Sequence, residues 1–482
     1  MFEASPLFHS AKITGCLRGG LSPLFFKIPP LPLGKGKGIK GMGLILTQAL
    51  PLQLGSVMLD WYGDIMRSNN HFRRIDYIKI TIFGFALAAL WGSLHTIILP
   101  LRLLDFVAEP EKNTYLGLLT FTGLVVAMVV QPIAGAISDR SGSGWGRRRP
   151  YILLGTILAI LFLPGIGFSR SYLAIFILYC LLQVSSNTAQ GPYQAFIPDL
   201  VPETKRGLAS GVKSLLEILG GVALLYPIAL FMDRYFTGEG GFWLWLALGA
   251  LAFVLLVAMI ATVLIVKERP GRGSQLPLLS ALNKSFKIDV KANRDFVWFL
   301  ASRLLIFMAF TTVQTFALYF LRDVVGVTNP AAATARFSMV AVAAMLAVVY
   351  PAGRISDRIG RRPIVVSSGL LGALSIALVF LFQQSYTVIM LCGGLLGISF
   401  GAFMSTNWAL ATDLVAKGEE ARYLGLTNLA TAGGGALARL IGPLIDSFNA
   451  YSPGLGYSAM FLICFICFVA GSLLLMKIRR LG

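Results

Sequence analysis

The chain has 482 residues, of which 56% are hydrophobic and 13% charged, with a mean hydropathy of +0.75. That much apolar surface cannot be hidden from water in soluble domains, so lipid must be the solvent for most of the chain. The formal net charge of +19 is carried largely by short loops between apolar runs, a pattern of membrane topology and not of a nucleic-acid surface.

Residues 1–75 come first. "SPLFFKIPPLPLGKGKGIKG" is low in complexity, and the apolar stretch after it is broken by Pro51 and Gly55. The expectation is a disordered extension, or a start placed too early with Met66 as the true first residue. From there a bilayer-length criterion of about 20 apolar residues gives twelve spans. Six, at 77–100, 114–138, 150–169, 172–197, 207–232 and 242–266, fall in a first bundle over 76–266. A polar stretch at 267–295 reads as a cytoplasmic linker. The other six, at 296–321, 331–352, 363–382, 386–410, 421–445 and 457–477, fall in a second bundle over 296–482. The fold class expected is an all-α membrane protein with twelve transmembrane helices in two pseudo-symmetric six-helix bundles.

Orientation follows from the basic residues. Loops on one side carry most of the lysines and arginines, including Arg147, Arg148, Arg149, Arg361 and Arg362, while the opposite loops hold only Arg102, Lys112, Arg170, Arg234, Arg322 and Arg336. The positive-inside rule then predicts both termini on the cytoplasmic side, in a multi-pass protein of the plasma membrane.

Two loops carry nearly the same text. "GAISDRSGSGWGRRRP" ends at Pro150 and "GRISDRIGRRP" at Pro363, 213 residues later; Asp199 and Asp413, in "IPDLVPETKRG" and "ATDLVAKGEEARYLG", stand 214 apart. Two landmarks repeating at one spacing mark two copies of a six-helix unit, a common transporter architecture. The G-x-x-S-D-R…G-R-R loop resembles the signature of the major facilitator superfamily, from about residue 75 to the end. That resemblance implies alternating access, with the bundles rocking about a central site. "NTAQGPYQAFIPDL" and "SDRSGSGWGRRRPYI" are further similar to the sucrose/proton symporters and their glycoside-transporting relatives. Gln190, Gly191, Pro192, Ala195, Asp199 and Leu200 match that family's fourth-span pattern, and Gln194 stands where the family has Arg.

Candidate residues follow from this reading. Gating is expected of Gly135, Asp139, Arg140, Arg147, Asp199, Arg206, Gly353, Asp357, Arg358 and Asp413. The two glycines would allow close helix packing, and the aspartates would face a helix N-terminus of the other half or a nearby arginine. Charges inside spans are costly and usually functional. Glu217, with Lys213 four residues earlier on the same helical face, is the candidate proton carrier, and Arg303 or Arg439 would compete for its carboxylate; His95 is a second titratable candidate. A static Lys213–Glu217 pair is the plainer alternative. The resemblance implies that spans one, four, seven and ten line the cavity, where Gln183, Asn187, Gln190, Gln314 and Asn407 would meet sugar hydroxyls and Trp91, Tyr319 and Trp408 would stack on a pyranose face.

Neither a phosphate-binding G-x-x-x-x-G-K-[ST] loop nor an H-E-x-x-H metal site occurs, so no enzyme, cofactor, metal or nucleic-acid partner is expected. The expected activity is proton-coupled uptake of a sugar or glycoside by a monomer in the bilayer. The alternative is proton-coupled export of a drug-like or other small metabolite.

Overall fold

A computed structural model of the protein describes residues 74–268, 293–414 and 420–478. The expected extension lies outside these residues except for its last two, and the linker outside them except at its ends. The described residues form twelve membrane-length units, all helical. The first bundle comprises α1 (Arg74–Leu103), α2 (Lys112–Asp139), α3 (Arg149–Phe168), α4 (Tyr172–Gln194), α5 in two pieces (Arg206–Ala223 and Leu225–Phe236) and α6 (Phe242–Ile265). The second comprises α7 (Arg294–Asp323), α8 (Pro330–Ile359), α9 (Arg361–Leu381), α10 (Tyr386–Leu414), α11 in two pieces (Glu420–Arg439 and Gly442–Asn449) and α12 (Leu455–Met476).

Why these segments are helices is a matter of solvent. In hydrocarbon every backbone N–H and C=O must be satisfied within its own segment, so long apolar runs become helices even where β-branched residues dominate. Prolines open several of them, at Pro150 and Pro330, where the missing N–H costs nothing. Eleven units are long and apolar enough to cross a bilayer; α11 is the exception. Its "TNLATAGGGALARLIG" is dominated by small and polar residues because this helix packs against α7 and α2.

The packing repeats. In the first bundle α1 lies on α5, α2 and α3 on α4, and α1 and α3 on α6; in the second, α7 lies on α11, α8 and α9 on α10, and α7 and α9 on α12. Every such pair maps onto its counterpart by adding six to the helix number. The two-copy reading of the sequence is therefore realised helix by helix.

Among the described residues, the strongest contacts between the bundles gather toward one end. Strong cross-bundle contacts join α2 to both pieces of α11 and the second piece of α5 to α8, all at the face that carries Glu109, Asp233, Asp323 and Asp446. Toward the signature loops the ion pairs instead run inside each bundle. Among the described residues the bundles are closed on each other at the first face, and no described ion pair joins them at the second.

Candidate functional site

Three polar groupings lie in or beside the space between the bundles. The first belongs to α1 and α4. Tyr179, Gln183 and Asn187 sit four residues apart on one face of α4 and are all buried. The Gln183 amide donates to the Tyr179 hydroxyl at 2.8 Å, and the Asn187 amide donates to Gln183 Oε1 at 3.0 Å. Across from them, α1 loosens into a π turn over Leu94–Ile98, which carries His95. Such turns are frequent at functional positions. His95 Nε2 lies 2.8 Å from the Tyr179 hydroxyl; Trp91 stacks on the imidazole at 5.0 Å and donates its indole N–H to Ser186. Arg439 of α11 is close enough to act electrostatically on the His95–Tyr179 pair from the other bundle. Its guanidinium donates to its own helix at Gly435, and its Nε is buried with no hydrogen-bond partner.

The second grouping is a buried cation in the second bundle. Arg303 is 1% exposed, donates from Nε to Thr431 at 2.8 Å and from a terminal nitrogen to Asn407, and lies against the rings of Phe307 (4.9 Å) and Trp408 (5.1 Å). The described ion pairs give it no carboxylate partner. A fork bonded to two helices and flanked by two rings is a geometry Lys cannot reproduce. Arg303→Lys is expected to keep the charge yet lose about 2–3 kcal/mol of stability, visible as a lower thermal midpoint in detergent; an unchanged midpoint would mean the fork contributes little.

The third grouping faces a cavity of about 410 Å³ between the bundles. Glu217 of α5 and Gln314 of α7 line it beside Thr96, Thr311, Phe307, Phe310, Phe337 and Phe400. Lys213 Nζ lies 3.1 Å from Glu217 Oε1 and over the ring of Tyr193, whose hydroxyl donates to the Thr81 carbonyl.

The sequence-predicted residues are thus brought together unevenly. Trp91, His95, Gln183 and Asn187 share one network, Arg303, Asn407 and Trp408 a second, and Lys213, Glu217 and Gln314 belong to the third. Arg303 does not meet Glu217, because Asn407 and Thr431 hold its guanidinium within its own bundle. Gln190 is half-buried on α4 beyond the network. Tyr319 is not at the cavity: it is fully buried at the closed face, where its hydroxyl donates to the Pro100 carbonyl at 2.7 Å. Its expected place against a pyranose is corrected accordingly, since α7 has by then reached the contact with α1. Tyr179, the centre of the first network, was missed, although its spacing of four from Gln183 and eight from Asn187 is a readable stripe.

At the signature loops Arg148 is the hub. It is buried and bonds Asp139, Asp199 (3.0 Å), the Ser138 hydroxyl (2.6 Å) and the Gly135 carbonyl (3.2 Å), while Arg147 adds a 2.6 Å contact to Asp199. The counterpart pair is Arg361–Asp413 at 2.8 Å, with Arg148 and Arg361 standing 213 residues apart, the spacing of the prolines. Asp139 therefore faces an arginine of its own bundle and not a helix of the other. Arg206 holds Glu203 and the carbonyls of Pro198 and Val201; Arg140, Asp357 and Arg358 are exposed. The close packing expected of Gly135 is made by its neighbour: a Cβ on Gly135 would meet nothing within 4 Å, whereas one on Gly191 would lie 2.4 Å from the Gln131 carbonyl. A Cβ on Gly353 would lie 2.9 Å from Ser405 Oγ. Glu268, just past α6, accepts from the Arg148 N–H at 2.8 Å; burial pushes its carboxyl above the usual range against the pull of the Arg148 and Arg147 amides.

Two six-helix bundles related by an internal repeat, with a buried polar network in each, a cavity lined from both and basic signature loops at one face, define a multi-pass membrane protein of major facilitator architecture. Residues 82–476 match the family described as MFS/sugar transport protein, and the chain belongs to that family. It is 39% identical over 112 residues to the sucrose transport protein SUT1 of Oryza sativa subsp. japonica, covering 19% of this chain and 21% of that protein. To the sucrose transport protein SUC3 of Arabidopsis thaliana it is 29% identical over 133 residues, covering 23% and 22%. The matches span about a fifth of these curated relatives. Among solved structures the fold is similar to the nucleoside transporter NupG (TM-score 0.66, 13% identity, covering 84% of this chain and 99% of that one) and to a D-xylose–proton symporter (TM-score 0.65, 17% identity, covering 85% and 98%). These relatives are transporters and not enzymes.

Proposed function

We propose that the protein is a secondary transporter that takes up a sugar or glycoside together with protons by alternating access. Family membership supports sugar as the cargo class, and the relatives named for sucrose and for xylose with protons point the same way. The observation that carries coupling is the placement of Glu217: a carboxylate lining the inter-bundle cavity, paired with a lysine one helical turn away. Such a group binds a proton when its partner turns away and releases it when the partner returns. With the basic loops on the cytoplasmic side, the closed face is the outer one and this conformation is inward-facing. The Arg148 and Arg361 networks then hold each inner gate half ready to meet the other. The protein works as a monomer in the plasma membrane with both termini inside.

The test is uptake of a panel of labelled sugars into proteoliposomes with and without an imposed inward proton gradient. Saturable uptake raised by the gradient is expected. No uptake of any sugar by folded protein would overturn this reading and leave proton-coupled export of a small metabolite.

A further inference from the structure

We infer that Asp233 and Asp446 are a matched pair of latches holding the closed face shut, each carboxylate capping the second helix of the bundle to which it does not belong. Helices α2 and α8 both begin at that face with free N–H groups and no cap of their own. The residue before α2, Glu111, makes no side-chain cap bond, and neither does Asn329 before α8, although Asn is among the best capping residues. The donors a cap would satisfy are taken from across the interface. Asp233, on the second piece of α5, accepts from the Ala331 and Ala332 N–H groups at 2.9 and 2.8 Å. Asp446, on the second piece of α11, accepts from the Thr114 N–H at 2.6 Å and the Asn113 side-chain amide at 2.8 Å. Both aspartates are buried, and they stand 213 residues apart, the spacing of the signature-loop prolines. The repeat has therefore kept one contact twice.

The physical consequence is a coupled release. In the closed state each carboxylate exchanges water for charge-assisted bonds to the positive end of a helix in the other bundle. Separating the bundles at this face breaks both caps in one motion, because the two contacts lie on opposite flanks of the same interface. The pair thereby weights the equilibrium toward the conformation open at the signature loops. This inference rests on the alternating-access reading but not on the identity of the cargo.

The test reads conformation directly. Spin labels at Ala108 and Tyr451 report across the α2–α11 flank, and labels at Glu239 and Thr328 across the α5–α8 flank, in full-length protein lacking its native cysteines. Asp233→Asn and Asp446→Asn are each expected to raise the ratio of open to closed distances by about tenfold, and the double variant by more. Unchanged distance distributions in folded Asn variants would overturn the latch. Should an Asp variant fail to fold, Asn113→Ala keeps the carboxylate and removes one donor; it must still lengthen the Ala108–Tyr451 distance, and no change there would overturn the latch equally. A protein that moves no sugar yet opens in the Asp446→Asn variant would sink the cargo reading and leave the latch standing.

Discussion

Glu217→Gln is expected to abolish gradient-driven accumulation while sparing exchange of labelled for unlabelled substrate. Gln keeps the shape of the side chain in the cavity wall and removes the one carboxylate among the described residues that line it. One pH unit corresponds to 1.36 kcal/mol per proton, so a 1:1 symporter concentrates its cargo about tenfold for each unit of gradient. The variant should equilibrate its cargo to a ratio of about one, whatever gradient is imposed. Exchange needs no net proton movement and should persist. Lys213→Met makes a second arm: it leaves Glu217 without the cation 3.1 Å away and should lower accumulation without altering cargo specificity. Normal accumulation by Glu217→Gln would place the proton site elsewhere, with the His95–Tyr179 pair next in line.

Gly117→Val should be close to inactive for a different reason. A Cβ at Gly117 would lie 2.2 Å from the Arg439 carbonyl oxygen, across the α2–α11 contact at the closed face. The obstacle is backbone in the other bundle, so no rotamer relieves it, and Gly442 opposes Asn113 with the same closeness. The bundles must stand further apart there, which keeps that face from sealing. Net uptake should fall by about a hundredfold, the scale of a few kcal/mol, with longer distances across the same face. Gly135→Ala is the control: its Cβ would meet nothing within 4 Å, and the helix gains about 1 kcal/mol of propensity, so folding and transport should both survive. Near-normal uptake by Gly117→Val would show that the observed closure is not an obligatory step.

These contrasts show where the sequence was readable. Apolar runs located the spans, most ends falling within about four residues and the eighth stopping at 352 where its helix runs on to Ile359, because lipid solvation is a property of each segment by itself. The repeat disclosed two bundles, because two landmarks shared one spacing. What a helix meets across an interface was not readable in the same way. Gly135 lies in the motif, yet the close approach belongs to Gly191, a partner on another helix. Tyr319 has the aromatic character of a sugar platform, and only the crossing of α7 over α1 puts it at the closed face. Asp233 and Asp446 bond mainly to backbone N–H groups, which carry no side-chain signature; their spacing of 213 was the one available clue. The α4 stripe of Tyr179, Gln183 and Asn187 was legible, but Tyr179 reads as an ordinary apolar-face aromatic until its hydroxyl finds His95.

The shared caps also say something about how such a molecule can be assembled from parts. A single six-helix unit would have its second helix uncapped and its own aspartate left open to water, so the contact is incomplete in one unit alone. Two identical units facing each other would complete both contacts with the same residue, as in an isologous dimer, where one surface serves as its own partner. Joining the units in one chain preserves that closure while freeing each copy to change, and here one copy has taken the intramembrane carboxylate Glu217 and the other the buried guanidinium of Arg303.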